Sequence, residues 1–210
     1  TTNQGIFQLD TYPLTGNTYI GPVLFTGGGA YAGRWGTMTK SGGNQSLYAD
    51  SSLNPSTNTW YHTAVVRSSG TIKVYIDGAE AISFSDSTDY TDRDSIVIGA
   101  MFSTSYIMTG YISNFRYVKG TAVYTSAFTP PTTPLTNITN TQLFTCRSSG
   151  FIDNSSTGYT LTRSGDLTAE ANQAATSTQF FSPFAPSASY STANNGGSAY
   201  FDRTGDYLTA

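Results

Sequence analysis

The run Trp60-Tyr61-His62-Thr63-Ala64-Val65-Val66-Arg67, followed by Ser68-Ser69-Gly70 and then by Thr71 to Ser85, decides the fold class. Its first part consists largely of aromatic and β-branched residues, which favour strands. From Ile72 to Asp77 apolar and polar residues alternate, which is the period of a strand with one buried face. Asp77-Gly78 is typical of a tight hairpin turn, because both positions tolerate positive φ. The stretch therefore predicts a three-stranded antiparallel meander.

Further short runs of strand-forming residues flank this meander on both sides. They are Gly5 to Leu9, Thr18 to Phe25, Arg34 to Thr39, Ser95 to Gly99, Gly110 to Val118 and Gln142 to Arg147. The run Ser95 to Gly99 is nearly all apolar, as expected for a central strand covered on both faces. Many short strands separated by turns predict an all-β fold, a two-sheet antiparallel jelly-roll sandwich with little or no helix.

The composition supports a folded β protein and excludes several function classes. Charged residues make up only 11% of the 210 residues, but 15 Tyr and 12 Phe supply enough apolar surface for a core. Glutamate, a strong helix former, occurs only at Glu80 and Glu170. A net charge of −3 with scattered Lys and Arg predicts no nucleic-acid partner. No run approaches the ~20 apolar residues of a membrane span, so we expect no membrane insertion.

Two stretches of the chain resemble a known family. Asn58-Thr59-Trp60-Tyr61-His62-Thr63-Ala64-Val65-Val66-Arg67 and Ser69-Gly70-Thr71-Ile72-Lys73-Val74-Tyr75-Ile76-Asp77-Gly78 resemble the central hairpin of laminin-G-like domains of the concanavalin A-like lectin/glucanase superfamily. Gly110-Tyr111-Ile112-Ser113-Asn114-Phe115-Arg116, Lys119-Gly120-Thr121-Ala122-Val123-Tyr124 and Phe128-Thr129-Pro130-Pro131 resemble the ending of copies found in tandem in marine and cyanobacterial phage structural proteins. The resemblance implies a concanavalin A-like sandwich over most of residues 1–135.

The end of the chain resembles the opening strand of the same family. Gly197-Ser198-Ala199-Tyr200-Phe201-Asp202-Arg203-Thr204-Gly205-Asp206-Tyr207-Leu208 carries the likeness, with Arg203 where the family usually has Gly. Residues 197–210 then either open the next copy of a tandem array, which we favour, or form the permuted first strand of this module. A third alternative is a strand donated to a neighbouring copy.

The segment between these parts, residues 136–196, predicts a loop-rich extension packed on the core. Within it, residues 169–195 are rich in Ala, Ser, Thr and Asn and predict a long surface connection. Phe180, Phe181 and Phe184 are its expected local anchors.

Catalytic chemistry is not predicted. Glycoside hydrolysis needs two carboxyl groups across the sugar, and active relatives carry a Glu-x-Asp-x-x-Glu strand that this sequence lacks. Glu80 follows a hairpin turn and Glu170 lies in a weak loop. His62 is the only histidine and Cys146 the only cysteine, which excludes a histidine or thiolate metal cluster. We expect His62 to be structural and Cys146 to be a buried apolar residue.

One loop carries enough acidic residues to be a candidate calcium site. It contains Asp86, Asp89, Asp92 and Asp94 within nine residues, and carboxylates are the hard ligands that Ca²⁺ prefers. Their spacing does not match an EF-hand. Aspartates also stabilise turns by accepting hydrogen bonds from their own backbone, so an ordinary loop is the alternative. No cofactor is required by the prediction, and calcium is a candidate only.

A glycan site is the remaining candidate. Carbohydrate binding commonly stacks an aromatic ring on the sugar beside polar loops, and the Gly-rich stretch from Gly27 to Trp35 offers this chemistry. The predicted rim consists of Tyr12, Tyr31, Arg34, Trp35 and Tyr106. Tyrosine is also a good strand residue, so each has an ordinary structural alternative.

The resemblance implies a non-catalytic structural and adhesion module on a virion surface or outside the cell. It would be a repeat of a phage tail fibre or capsid appendage that attaches to bacterial surface polysaccharide, with copies of itself or neighbouring repeats as partners. Many copies would raise a weak single-site affinity. A purely structural spacer without a ligand and a cellular adhesin module are the alternatives.

Overall fold

The computed structural model describes residues 3–10, 20–27, 33–41, 44–49, 53–91, 93–102, 106–147, 151–166, 168–170 and 198–210. Strands, turns and loops make up this part of the chain, and the all-β prediction is confirmed. Over the same residues, no helix has the length and apolar character needed to cross a membrane.

One sheet of seven antiparallel strands forms the first layer. Its strands, numbered in chain order, are β1 (Gln4–Asp10), β2 (Ile20–Thr26), β3 (Trp35–Ser41), β4 (Asn44–Ala49), β8 (Ser95–Ile98), β14 (Thr162–Ser164) and β17 (Tyr207–Thr209). Their order across the sheet is β14-β17-β8-β1-β2-β3-β4. All four residues of β8 are buried between β1 and β17, which confirms the predicted central strand.

Three smaller sheets pack against this layer. One contains β5 (Thr63–Ser68), β6 (Thr71–Ile76) and β7 (Ala79–Ser85); a second pairs β12 (Phe115–Val118) with β13 (Thr141–Thr145); a third contains β11 (Thr109–Ile112), β16 (Ser198–Asp202) and β15 (Thr168–Glu170). The short strands β9 (Ala100–Met101) and β10 (Tyr106–Ile107) form a separate hairpin.

Two of the three core clusters of the described residues lie between the two layers. One cluster packs β2 and β3 against β6 and β7; its buried members are Leu24, Trp35, Val74, Ile76 and Ile82. The other packs β1, β8 and β17 against β11, β13 and β16, and includes Leu9, Ile98, Leu143, Phe201 and Leu208. Because both clusters join residues from opposing sheets, the molecule is a β-sandwich.

The predicted meander is present with two tight turns. Ser69 and Gly70 have φ of 48° and 73°, and Asp77 and Gly78 have φ of 49° and 80°. Two successive residues with positive φ are the mark of a type I′ hairpin turn, whose twist matches that of the strands. The first strand begins at Thr63 rather than at Trp60.

The run Gly110 to Val118 departs from the prediction of one continuous strand. It divides into β11 and β12, which belong to different sheets, and the break lies at Ser113 and Asn114. Asn114 has a φ of 55°, its backbone N–H donates to the Cys146 carbonyl at 2.8 Å, and its Oδ1 accepts from the Leu135 N–H at 3.0 Å. These long-range bonds stabilise a bend that alternation alone does not reveal.

The C-terminal strands pair inside the sandwich. β16 pairs with β11 through Phe201 and Gly110, and β17 pairs with β8 through Leu208 and Ile98. The tandem array, the permuted first strand, the donated strand and the boundaries 1–135, 136–196 and 197–210 all stay predictions. Phe180, Phe181 and Phe184 lie outside the described residues.

Candidate functional site

Trp35, a residue of the predicted glycan rim, is an interior residue. Its side chain is 6% exposed and lies in the core cluster with Leu24 and Val74. Its ring contacts Tyr61 edge to face, with centroids 5.6 Å apart. A ring enclosed in this way has no face to offer a ligand, so the prediction for Trp35 is corrected.

The other rim residues are not brought together by the described structure. The Arg34 carbonyl accepts a hydrogen bond from the Gly27 N–H at 2.7 Å, which closes the Gly-rich loop. Tyr106 is 37% exposed and contacts Phe102 edge to face at 5.4 Å. Tyr12 and Tyr31 lie outside the described residues. Tyr106 is thus the described member of the rim with a ring open to solvent.

Residues 119–131 cross the outer face of the β5–β6–β7 sheet, and we call this segment the strap. The rings of Tyr124 and Phe128 are stacked at 3.6 Å, and Phe128 also covers the fully buried Tyr75 at 5.6 Å. The Phe128 N–H donates to the Gly78 carbonyl at 3.0 Å. A Cβ on Gly78 would lie 1.8 Å from the Phe128 carbonyl oxygen, so only glycine permits this close approach.

His62 packs beneath the strap as a structural residue. Its ring contacts Phe128 and Tyr124 at 5.3 and 6.0 Å, and its backbone N–H donates to Asp77 Oδ1 at 2.8 Å. Burial lowers the pKa of the imidazole, with the Asp77 carboxylate opposing that shift. This environment supports the predicted structural role for His62.

A groove opens between the strap and the sheet, and we call it the outer groove. It has a volume of about 170 Å³ and is lined by Val66 and Ser68 of β5, Thr71 and Lys73 of β6, and Tyr124 and Thr125 of the strap. Ser68 pairs with Thr71 and Val66 with Lys73, so these four side chains share the outer face. Lys73 Nζ also forms an ion pair with Glu80 Oε2 at 2.7 Å.

An aromatic row lies on the same layer. Trp60, Tyr111 and Tyr200 are half-buried, with ring centroids separated by 6.3 Å between Trp60 and Tyr111 and by 4.9 Å between Tyr111 and Tyr200. Their planes are inclined by 48° and 36°, so the three rings do not form the flat surface on which a chain of sugars stacks. The outer groove is the better candidate.

In the acidic loop predicted as a calcium site, Asp86 and Asp89 accept hydrogen bonds from their own loop. Asp86 is 9% exposed and accepts from the Thr88 N–H at 3.0 Å and from the Tyr90 hydroxyl. Burial alone would raise the pKa of Asp86, but these hydrogen bonds outweigh it and lower the pKa. Asp89 accepts from the Thr91 N–H at 2.9 Å, a turn that also lowers its pKa.

The described acids of this loop, Asp86, Asp89 and Asp94, do not converge on one point. The described residues instead bring together Asp166, Asp202 and Asp206, which each place a carboxylate oxygen within 4.8 Å of the others. Asp92 lies outside the described residues.

Comparison with protein families agrees with this architecture. A family model described as the concanavalin A-like lectin/glucanases superfamily, of laminin-G type, matches residues 11–131, more than half of the 210 residues. The chain belongs to the concanavalin A-like superfamily. Searches of curated proteins and of solved structures found no match. In this superfamily the fold suggests a carbohydrate-binding or adhesion-type module.

Some concanavalin A-like folds are glycosidases, so the carboxyl groups need a separate test. A glycosidase places two carboxyl groups on either side of the sugar, and both must reach it. Asp202 and Asp206 are close in space but belong to one tight turn, and Asp206 is only 1% exposed. Glu80 is ion-paired with Lys73 on the sheet surface. Neither Asp206 nor Glu80 is therefore placed as a member of a glycoside-hydrolysing pair.

Sequence reasoning missed both the outer groove and the three-acid cluster. The groove residues of β5 and β6 were identifiable from the alternation of that hairpin, but the place where the strap crosses was not. The signal for the cluster is Asp202-Arg203-Thr204-Gly205-Asp206, an acidic pair around a turn. Its third member, Asp166, joins it only through the pairing of β14 with β17.

Proposed function

We propose that the chain is a non-catalytic adhesion module that binds a neutral glycan in the outer groove. The observation that carries the proposal is an open groove on a sheet face that combines hydroxyl groups with an aromatic ring. The hydroxyls of Ser68, Thr71 and Thr125 both donate and accept hydrogen bonds, as sugar hydroxyls require. Tyr124 and Val66 supply apolar surface for the C–H face of a pyranose ring.

The charge of the groove favours a neutral saccharide over a sulfated or phosphorylated one. Lys73 is the one cationic group in its lining, and the carboxylate of Glu80 lies 2.7 Å from its ammonium group. The ion pair cancels the charge, while the ammonium group still has protons to donate. An anionic ligand would have to compete with Glu80 for Lys73.

The size of the groove implies weak binding at a single site. Its volume of about 170 Å³ is smaller than the roughly 300–1,000 Å³ of most small-molecule sites. Such a site holds one sugar residue and gains useful strength only when many copies act together. This supports a module displayed in many copies on a virion surface or outside the cell, as in a phage tail fibre or capsid appendage that attaches to bacterial surface polysaccharide. A further Trp-Tyr-His strand in a longer reading frame would support the tandem array.

A glycan array tests the proposal. The module is biotinylated, tetramerised on streptavidin and applied to bacterial surface polysaccharides. Thr125 is exposed, so Thr125→Arg fills the groove without touching the core, and we expect binding to fall at least tenfold. Thr129→Arg, on the exposed part of the same strap outside the groove, is the matched control and should bind normally.

Two other outcomes would contradict the proposal that the glycan binds in the outer groove. Loss of binding in Tyr106→Ala but not in Thr125→Arg would move the ligand to the rim predicted from the sequence. Silence of the tetramer across the array would favour the alternative of a structural spacer. A reducing-sugar assay on any bound polysaccharide tests catalysis directly, and release of new reducing ends would overturn the non-catalytic assignment.

A further inference from the structure

The three acids Asp166, Asp202 and Asp206 meet where two turns lie side by side. Asp202 ends β16 and Asp206 precedes β17, so one turn carries both. Asp166 follows β14, and the pairing of Ser164 with Tyr207 brings its turn against the other. As a result, residues far apart in the chain place their carboxylate oxygens within 4.8 Å of one another.

Hydrogen bonds account for only some of these oxygens. Asp202 Oδ1 accepts from the Thr204 N–H at 2.7 Å and from the Thr204 hydroxyl. Asp206 Oδ2 accepts from the Asp202 N–H at 2.8 Å. These bonds shape the turn.

Asp206 Oδ1 is the oxygen that points to a ligand. The Asp206 side chain is 1% exposed, and its Oδ1 is buried without a hydrogen-bond donor. It faces the turn that carries Asp166, since a Cβ built on Gly165 would lie 2.2 Å from it. A buried carboxylate oxygen without a partner is strongly unfavourable, and two neighbouring carboxylates add repulsion. A cation relieves both.

We propose that Asp166, Asp202 and Asp206 form a calcium-binding site. All three side chains offer hard carboxylate oxygens, and the only histidine and the only cysteine lie elsewhere, which disfavours zinc. Two ligands held at ~2.3–2.6 Å from one Ca²⁺ are at most about 5 Å apart, a limit that the 4.8 Å separation meets. Water or backbone carbonyls would complete the coordination.

The electrostatics of the cluster agree with this assignment. Burial, and then the nearby carboxyl groups of Asp202 and Asp166, raise the pKa of Asp206 above its ordinary value. Bound Ca²⁺ would hold all three groups ionised. Because Asp166 is exposed and the ligand set is small, we expect a dissociation constant on the order of 10⁻⁴–10⁻³ M, as in extracellular calcium modules.

Isothermal titration with CaCl₂ and thermal unfolding in CaCl₂ or EDTA test the site. We expect one Ca²⁺ per chain and a rise of about 3–6 °C in the unfolding midpoint at ~10 mM Ca²⁺. MgCl₂ at the same concentration should give a smaller rise, since Mg²⁺ demands a more regular shell.

The decisive variant is Asp166→Asn, because this exposed side chain can change without disturbing the core. It should lose at least tenfold in Ca²⁺ affinity and most of the midpoint rise. Asp89→Asn, in the other acidic region, is the matched control and should behave as the wild type. No rise in the wild type, an equal rise in Asp166→Asn, or a loss confined to Asp89→Asn would each overturn the proposal.

Discussion

Two acidic regions of this molecule differ in a way that their sequences conceal. The loop from Asp86 to Asp94 holds four aspartates in nine residues, yet Asp86 and Asp89 accept hydrogen bonds from Thr88 and Thr91 of the same loop. The cluster of Asp166, Asp202 and Asp206 is dispersed in sequence but converges in space.

The comparison shows that convergence of ligands is a property of strand pairing. In the loop the carboxylates of Asp86 and Asp89 stabilise their own turns, which is the local use of aspartate. In the cluster the antiparallel pairing of β14 with β17 brings a third acid to a turn that already holds two. Asp86 and Asp89 of the first region accept hydrogen bonds, whereas Asp206 of the second has a buried oxygen without a donor.

Gly165→Ala should have the largest effect on the free energy of unfolding, because it disrupts the close contact between the two turns that carry the cluster. Gly165 has a φ of 74°, and a Cβ there would lie 2.2 Å from Asp206 Oδ1 and 2.9 Å from the Gly205 carbonyl carbon. We expect a loss of about 2–4 kcal/mol in the free energy of unfolding. Urea denaturation measures it.

The matched control for that prediction is Gly158→Ala. Gly158 has a φ of 68°, but a Cβ there meets nothing within 4 Å. Gly158→Ala should therefore lower the free energy of unfolding by only about 1 kcal/mol, which is the cost of placing alanine at a positive φ. Equal losses in the two variants would show that the turns of the cluster are not closely packed.

Asp86→Ala should have the second-largest effect on the free energy of unfolding. The Tyr90 hydroxyl and the Thr88 N–H lose their acceptor, and we expect the free energy of unfolding to fall by about 1–2 kcal/mol. Calcium affinity should not change. Asp89→Ala, at an exposed turn of the same loop, should destabilise much less; a change in the calcium isotherm of either variant would contradict the separation of the two regions.

Arg203→Gly is expected to stabilise the turn of the cluster. Arg203 has a φ of 79°, a region that disfavours residues with a Cβ. We expect a gain of about 0.5–1 kcal/mol in chemical denaturation. Asn58→Gly, at a φ of 57°, is the control and should change stability little, because Asn tolerates this region. Destabilisation by Arg203→Gly would show that the interactions of the Arg203 side chain outweigh the backbone strain at this φ.

The smallest effect concerns pH, where the two regions act on opposite sides of the ordinary pKa of an aspartate. The lowered pKa of Asp86 contributes stability above its unfolded value of 3.8, and this is lost as the pH falls below it. The raised pKa of Asp206 acts the other way: without a cation, stability falls as the pH rises from 3.8 through the folded pKa. Urea unfolding in EDTA from about pH 3 to pH 7 should therefore show a shallow stability maximum near pH 3.8 in the wild type, with a decline on either side.

Two variants separate these contributions. Asp206→Asn should reduce the decline with rising pH, and Asp86→Asn should reduce the loss at acid pH. Identical pH profiles for the two variants would show that the carboxyl groups do not have the opposite environments described here.

Much of the fold follows from the sequence, because its signals are local. The alternation from Ile72 to Asp77 and the Asp77-Gly78 turn predict the meander, and the apolar run Ser95 to Gly99 predicts the buried β8. The break at Asn114 was not predictable, since its bend depends on hydrogen bonds to Leu135 and Cys146. Local patterns describe strands but not where a long-range bond bends them.

The candidate sites were less accessible to sequence reasoning. The burial of Trp35 depends on which face of β3 meets the second layer. The outer groove depends on where the strap crosses, and the cluster on the pairing of β14 with β17. Each of these features depends on how distant segments pack in the fold. The predicted sites rested instead on local composition, namely aromatic residues near glycines and aspartates near one another.

The position of β8 has a consequence for how the molecule folds. Ile98 pairs with Phe7 on one side and with Leu208 on the other. One edge of this apolar strand therefore stays unpaired until β17 has been synthesised. Closing the long loop between β8 and β17 slows folding, and until it closes the nascent chain exposes an unpaired, apolar strand edge. Completion of the sandwich is therefore expected to be a late kinetic event, governed by the arrival of the C-terminal strand.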